Sequence, residues 1–243
     1  MKRYKTELHC HTKDASGCSN MSAEETVERY IEYGYSTIVL TNHFAAFSTM
    51  MDQSQWLAHC EKTYRAYDNM VNAAQGRINV LLGMEARFEQ NHNDYLVYGG
   101  FDRGFLENYG GALLKLGIRD FSVLIHERGG FISQAHPFRY GSVTTQPGYL
   151  DGIEVFNGHF KHDSHNDIAE AWAEKYGKIK TSGSDHHDHD HYPDGGIATD
   201  APITSVEQLV STLRSGEYEL VRDYPFGKPK YDGFGQLLGL IKE

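Results

Sequence analysis

The spacing of apolar and polar positions changes period again and again along this chain. Short runs with the two-residue period of a strand fall at residues 5–9 (KTELH), 36–43 (STIVLTNH), 78–88 (INVLLGMEARF) and 94–101 (DYLVYGGF). Three more follow at 130–136 (GFISQAH), 152–157 (GIEVFN) and 178–185 (KIKTSGSD). Between them the period lengthens to that of a helix. Val27, Tyr30 and Ile31 lie on one face of a helix over 22–33, opened by a Ser22/Glu25 capping box and stopped by Gly34. Further helices are expected at 54–74 (stopped by Gly76), 120–128 (stopped by Gly129-Gly130) and 164–176 (stopped by Gly177). The last is expected at 206–215, with Ser205 and Gln208 as a capping box, and residues 113–116 are helix-prone. Strand and helix alternating this often implies a parallel sheet with crossover helices, most simply a closed barrel. No repeat, low-complexity tract or Pro/Ser linker interrupts the pattern, so residues 1–243 are expected to form one domain.

In such barrels the binding residues gather at the C-terminal ends of the strands. Applied here, that rule collects a consistent set. The first strand ends in His9 and His11, two apart and therefore on one face. The second ends in Asn42 and His43, and the third in Glu85 with Arg87 two residues on. Beyond these come His136 with Arg139, then Glu154 and Asn157, then Asp185 and His187. Taken singly, each has a bland reading: a half-exposed histidine, a Glu85–Arg87 ion pair, a structural strand-end acid at Glu154. Six strands aiming metal-competent side chains at one mouth are hard to obtain from scattered surface residues, and a shared metal site is the expectation. His186 and residues 188–191 continue past the strand end and are expected in a solvated loop. His159, His162 and His165 are expected on a loop beside the mouth. Cys10 is expected to face the core, and Cys18 and Cys60 have no partner at ligand spacing in the sequence.

Composition narrows the partners. The formal net charge is −10, from 33 acidic against 23 basic residues, which argues against long nucleic acid; a small anion at a metal site is not excluded by it. No apolar run approaches the roughly 18 residues of a membrane span, and the N-terminus lacks the apolar core of a secretory signal. With 3 cysteines and no disulfide framework, the expected compartment is the cytoplasm.

The segments LHCHT, LTNH, GME, AHPF and SGSDHH, in this order over about residues 7–190, resemble the PHP (polymerase and histidinol phosphatase) family. The resemblance implies an α/β fold, a distorted (β/α)7 barrel, with a centre of two or three divalent ions (zinc, manganese or iron) at the strand C-termini. It implies His9 and His11 as ligands of one ion, Glu85 as the carboxylate bridging two, and Asp185 as a further ligand. His136 would sit on the ion that shares Glu85, with His43 and His187 on another. Two positions depart from the family pattern: Gly17 stands about where a histidine is common, and Asp102 where many members have histidine. The implied activity is hydrolysis of phosphate esters, with a hydroxide held between two ions attacking phosphorus.

Within that expectation Glu85 and Asp185 are the catalytic carboxylates. His187, or His43, is the candidate acid for the leaving oxygen. Arg87 and Arg139 are the candidate phosphate clamps, because a guanidinium meets two phosphate oxygens at once. A small phosphorylated metabolite is the expected substrate, with specificity in the loops at 44–54, 102–112, 139–150 and 158–165. A non-catalytic metal- or phospholigand-binding module and a phosphodiesterase or nuclease are the competing readings.

Overall fold

In the computed structural model the described residues are 3–45 and 51–223, so part of the 44–54 loop lies outside them. Seven strands form a ring: β1 (Tyr4–Cys10), β2 (Tyr35–Leu40), β4 (Asn79–Arg87), β5 (Asp94–Tyr98), β6 (Phe131–Gln134), β7 (Gly152–Asn157) and β8 (Ile179–Gly183). The short β3 (His43–Ala45) lies alongside β4, and β9 (Ile197–Thr199) and β10 (Glu219–Leu220) extend the sheet beyond β1. The distorted α/β barrel expected from the sequence is therefore present.

Its sheet is not parallel throughout. β5 runs antiparallel to both β4 and β6. Only residues 88–93 separate β4 from β5, too few for a crossover, so the chain can only turn back as a hairpin. β9 is likewise antiparallel to β1, and the pattern reading missed it; Glu219–Leu220 pairs in turn with β9.

The ring closes without a full ladder. Cys10 and His186 form a single bridge between β1 and the segment after β8, with His11 N donating to His186 O at 3.0 Å. The Glu7 carboxylate completes the seam. Its Oε1 accepts from Leu8 N, His9 N and Ser184 N at 2.9, 2.8 and 2.9 Å, and its Oε2 from the Tyr30 and Ser184 hydroxyls. A wholly buried carboxylate costs several kcal/mol unless its lone pairs are filled, and these donors fill them.

Helices cover the ring as their apolar faces require. α1 (Ala23–Glu32) begins at the Ser22/Glu25 capping box and packs Val27 and Tyr30 against Ile38 and Leu40, with Met70 of α2 (Gln53–Ala74) in the same cluster. Cys10 is buried there, on the core side as expected. α2 starts from an Asp52/Gln55 capping box, and its Trp56 Nε1 donates to Leu106 O at 2.7 Å. That carbonyl belongs to α3 (Arg103–Tyr109), a helix the periodicity did not reveal; α4 (Gly117–Glu127) and α5 (Asn166–Lys175) lie close to their expected places. α6 (Val206–Ser215) packs Leu209 and Leu213 against Leu8, Leu96 and Phe131, the apolar floor beneath the polar mouth. At its start Ser205 caps Gln208 N, but the Gln208 side chain turns to Thr204 N, so only half of the expected capping box forms. Among the described residues no helix is long and apolar enough to cross a membrane.

Candidate metal centre

Every expected ligand arrives at one end of the ring. His9 and His11 project together from the end of β1, ring centroids 5.1 Å apart. Register places His43 of β3 opposite Glu85 of β4, and His43 Nδ1 stands 2.7 Å from Glu85 Oε2. His136, just past β6, brings Nε2 to 3.2 Å from Glu85 Oε1. Asp185, just past β8, sets Oδ1 at 3.3 Å from His9 Nε2 and 3.5 Å from His11 Nε2, while Glu85 Oε1 lies 3.3 Å from His9 Nε2. His187 stacks on His11 with centroids 4.1 Å apart.

The surrounding hydrogen bonds dictate which ring nitrogens face inward. His9 Nδ1 donates to Glu154 Oε1 at 2.9 Å, so its lone pair is on Nε2. The other Glu154 oxygen accepts from His136 N at 2.8 Å and Asn157 Nδ2 at 2.9 Å. This acid is an orienting group behind the ligands. Gly183 makes room for it, since a Cβ there would collide with His9 Cβ and Glu154 Oε1. Ser16 does the same for His11: its hydroxyl donates to Asn42 Oδ1 at 2.9 Å and accepts from His11 Nδ1 and His43 N, both at 3.0 Å. His187 Nδ1 donates to Asp185 O at 2.8 Å.

Two inward atoms are then left over. His9 Nε2 and His11 Nε2 are buried, make no hydrogen bond, and lie with Glu85 in one group of mutually close ligand atoms. Buried polar atoms are normally satisfied, and a cation would satisfy these. Charge points the same way. Burial alone would raise the carboxyls, but His43 and His9 hold Glu85 well below the usual range, and His9 and Arg139 do so for Asp185. Burial disfavours a charged His9, yet Asp185, Glu154 and Glu85 outweigh it and lift its pKa well above the ordinary value. Burial, with His187 and His43 beside it, keeps His11 neutral. Clustered carboxylates among imidazole nitrogens suit two or more divalent ions of the zinc, manganese or iron kind.

The two arginines differ. Arg139 Nη2 donates to Asp185 Oδ2 at 2.7 Å and Asn157 Oδ1 at 2.8 Å, while its Nε makes no hydrogen bond. Arg87 turns its fork to Asp94, with Nε and Nη2 at 2.6 and 2.5 Å from the carboxylate, instead of pairing with Glu85. Asp94 itself went unrecognised in the sequence. It begins β5, and because β5 is antiparallel its first residue, not its last, lies at the mouth; with His43 and Glu85 it forms another possible ligand group. Asp102 caps α3 through Phe105 N and pairs with Arg128 on the surface, outside the site.

Cys18 is a second omission. The sequence offers it no partner, but the fold brings its thiol onto His187 and His43. Burial would raise it; those two contacts prevail and hold it down at about 6. The 186–191 segment is also less solvated than expected: His186 and His191 are buried, with His189 and Asp190 exposed. His159 is nearly buried too, its ring 4.4 Å from that of His191, and burial lowers its pKa to about 3.

A profile of the PHP domain family matches residues 7–194, and the chain belongs to that family. Solved structures share the fold at low identity. A protein of Bifidobacterium adolescentis, provisionally described as a metal-dependent phosphoesterase, is 11% identical with a TM-score of 0.53, over 87% of this chain and 96% of that one. PsfC from Pseudomonas syringae is 16% identical with a TM-score of 0.61, over 87% of this chain and 89% of that one. Endonuclease Q, solved with a duplex bearing an abasic lesion, is 11% identical with a TM-score of 0.55; the match covers 87% of this chain but only 56% of that one. No curated protein sequence matches the chain.

Proposed function

We propose that this protein is a metal-dependent hydrolase of phosphate esters, acting on a small phosphorylated metabolite as a phosphomonoesterase. The observation that carries the reading is the pair of buried, unbonded atoms His9 Nε2 and His11 Nε2 converging with Glu85 on one space. His9, His11, Glu85 and Asp185 would hold one divalent ion, and Glu85 with His136 a second, with Asp94 beside them. When bound, such ions supply Lewis acidity, polarising phosphoryl oxygens and activating the attacking water.

The chain's own residues do the rest. Arg139 is held by Asp185, Asn157 and Ser164, a preorganised cation beside the mouth for a phosphoryl oxygen. Arg87 is engaged by Asp94, so its part is to hold that carboxylate at the mouth. His191 Nδ1 accepts from His187 N at 3.1 Å, which leaves its proton on Nε2, a hydrogen-bond donor beside the site. Glu154 and Ser16 keep the ligands in the correct tautomers. The preference for a small ester over nucleic acid rests on the acidic balance of the chain.

The fold shared with Endonuclease Q supports a phosphodiesterase as the second reading. Metal-loaded protein assayed on p-nitrophenyl phosphate and bis(p-nitrophenyl) phosphate separates them. Faster turnover of the monoester, abolished by Glu85→Ala with His9→Ala, is the expected result. Faster turnover of the diester supports the second reading, and no turnover of either by fully loaded protein refutes hydrolysis and favours a binding module.

A further inference from the structure

Residues 135–146, the stretch that carries Arg139, contain neither helix nor strand, yet they are fastened at both ends. Arg139 N donates to His136 O at 3.1 Å and Ser142 N donates to Arg139 O at 2.9 Å, so two tight turns follow one another. Just beyond them two side-chain amides grip the backbone as a neighbouring strand would. Asn93 Oδ1 accepts from Val143 N at 2.8 Å, and Asn93 Nδ2 donates to Val143 O at 2.7 Å. Gln134 Nε2 donates to the same carbonyl at 2.9 Å, and Gln134 Oε1 accepts from Thr145 N at 3.2 Å. The Tyr95 hydroxyl lies 2.8 Å from Thr145 Oγ1 and completes the network. Asn93 and Gln134 are buried, and a buried amide is costly unless its groups are bonded, so amides and loop backbone satisfy each other.

The two anchors stand beside metal-competent residues. Asn93 immediately precedes Asp94, and Gln134 lies two residues before His136. β5 and β6 pair with Tyr95 opposite Gln134, so the fastening is built on the same two strands that bring Asp94 and His136 to the mouth. We propose that Asn93 and Gln134 are positioning residues for Arg139, fixing the backbone from which its guanidinium reaches a bound phosphoryl group. The inference rests on the hydrolase reading, in which Arg139 meets phosphate, and adds what sets its reach. Asp185, Asn157 and Ser164 hold the tip of the side chain, and the amides hold its root. A displacement of about 1 Å in such a preorganised site can cost on the order of 100-fold, so loosening the root is felt at the phosphate.

Calorimetric titration of the metal-loaded protein with inorganic phosphate reads this without turnover. Asn93→Ala and Gln134→Met should each bind phosphate about tenfold or more weakly than wild type, with ion affinity in a chelator competition kept within about twofold. In an Arg139→Ala background the same substitutions should cost nothing further, because a group that acts through Arg139 then has nothing to position. Gln134→Met keeps the side chain's volume, so the test stands even where Asn93→Ala does not fold. Residues that only stabilise the fold would lower the urea midpoint and leave phosphate affinity within about twofold of wild type, and that result overturns the proposal. Losses that add fully to that of Arg139→Ala overturn it as well, as do losses that merely follow departure of the ions. A wild type that keeps its ions and binds no phosphate also overturns it, whereas the hydrolase reading is judged separately by turnover of p-nitrophenyl phosphate.

Discussion

Glu154→Gln changes one atom and tests the logic that orients the metal ligands. In the wild type one carboxylate oxygen accepts the His9 Nδ1 proton, and the other accepts two protons, from His136 N and Asn157 Nδ2. An amide cannot accept on both sides. With its NH2 toward His136 and Asn157 it opposes two buried donors, about 2–6 kcal/mol at about 1–3 kcal/mol each; with its NH2 toward His9 it opposes one. The second orientation therefore wins, and His9 must move its proton to Nε2, the atom that faces Glu85 and Asp185. Restoring the lone pair for an ion then costs the same ~1–3 kcal/mol, a roughly 5- to 150-fold loss of affinity, consistent with the ~10–100-fold seen when such outer partners are removed. Competition between the protein and a chromophoric chelator measures it. The Glu154→Gln variant should bind the His9 ion more weakly by that factor while keeping its far-ultraviolet circular dichroism. An affinity within about twofold of wild type would refute the claim that Glu154 fixes the His9 tautomer.

Three further outcomes follow from the same structure. Ser16→Ala leaves the buried His11 Nδ1 and His43 N without their shared acceptor, so the metal-free protein should lose about 1–3 kcal/mol per orphaned donor in urea unfolding; an unchanged midpoint would show that these bonds contribute nothing. Asp194 is pushed up to about 9, first by burial and then by the nearby Glu7. A folded pKa raised above the unfolded one contributes stability that is full below about pH 4 and lost as pH climbs to about 9. Asp194→Asn should therefore melt like wild type near pH 4 and progressively above it as pH rises; a pH-independent difference would contradict this. Gly183→Ala should abolish tight ion binding by forcing apart His9 and Glu154, read by the same chelator competition, and retained binding would mean the close approach is not required.

Much of the site could be read before the fold because imidazoles and carboxylates at strand ends are a local signal. His9 and His11 follow from a period of two, and Glu85, His136 and Asp185 from the ends of apolar runs. Strand direction is different: it depends on which partner a strand finds, and no residue of DYLVY records it. The family pattern points to Asp102, beyond the far end of β5, whereas the residue at the mouth is Asp94, at its start. Cys18 was hidden for a related reason. Its partners His43 and His187 are distant in sequence, and only the folding of the loop onto both brings its thiol beside them. The buried Glu7 was likewise silent in sequence, since an acid in a strand says nothing of the five donors that await it.

His136 and Asp185 have φ of +27° and +50°, a left-handed backbone that side chains other than glycine resist, at roughly 1–3 kcal/mol each. Both sit where the chain must bend sharply to present a donor, so the strain is the cost of placing the ligand. Placing glycine at either position should raise the melting temperature of the ion-free protein and lower that of the loaded one, because the bend relaxes while the clasp is lost. The apparent robustness of this barrel in a cell would then track the supply of divalent cation as closely as it tracks temperature.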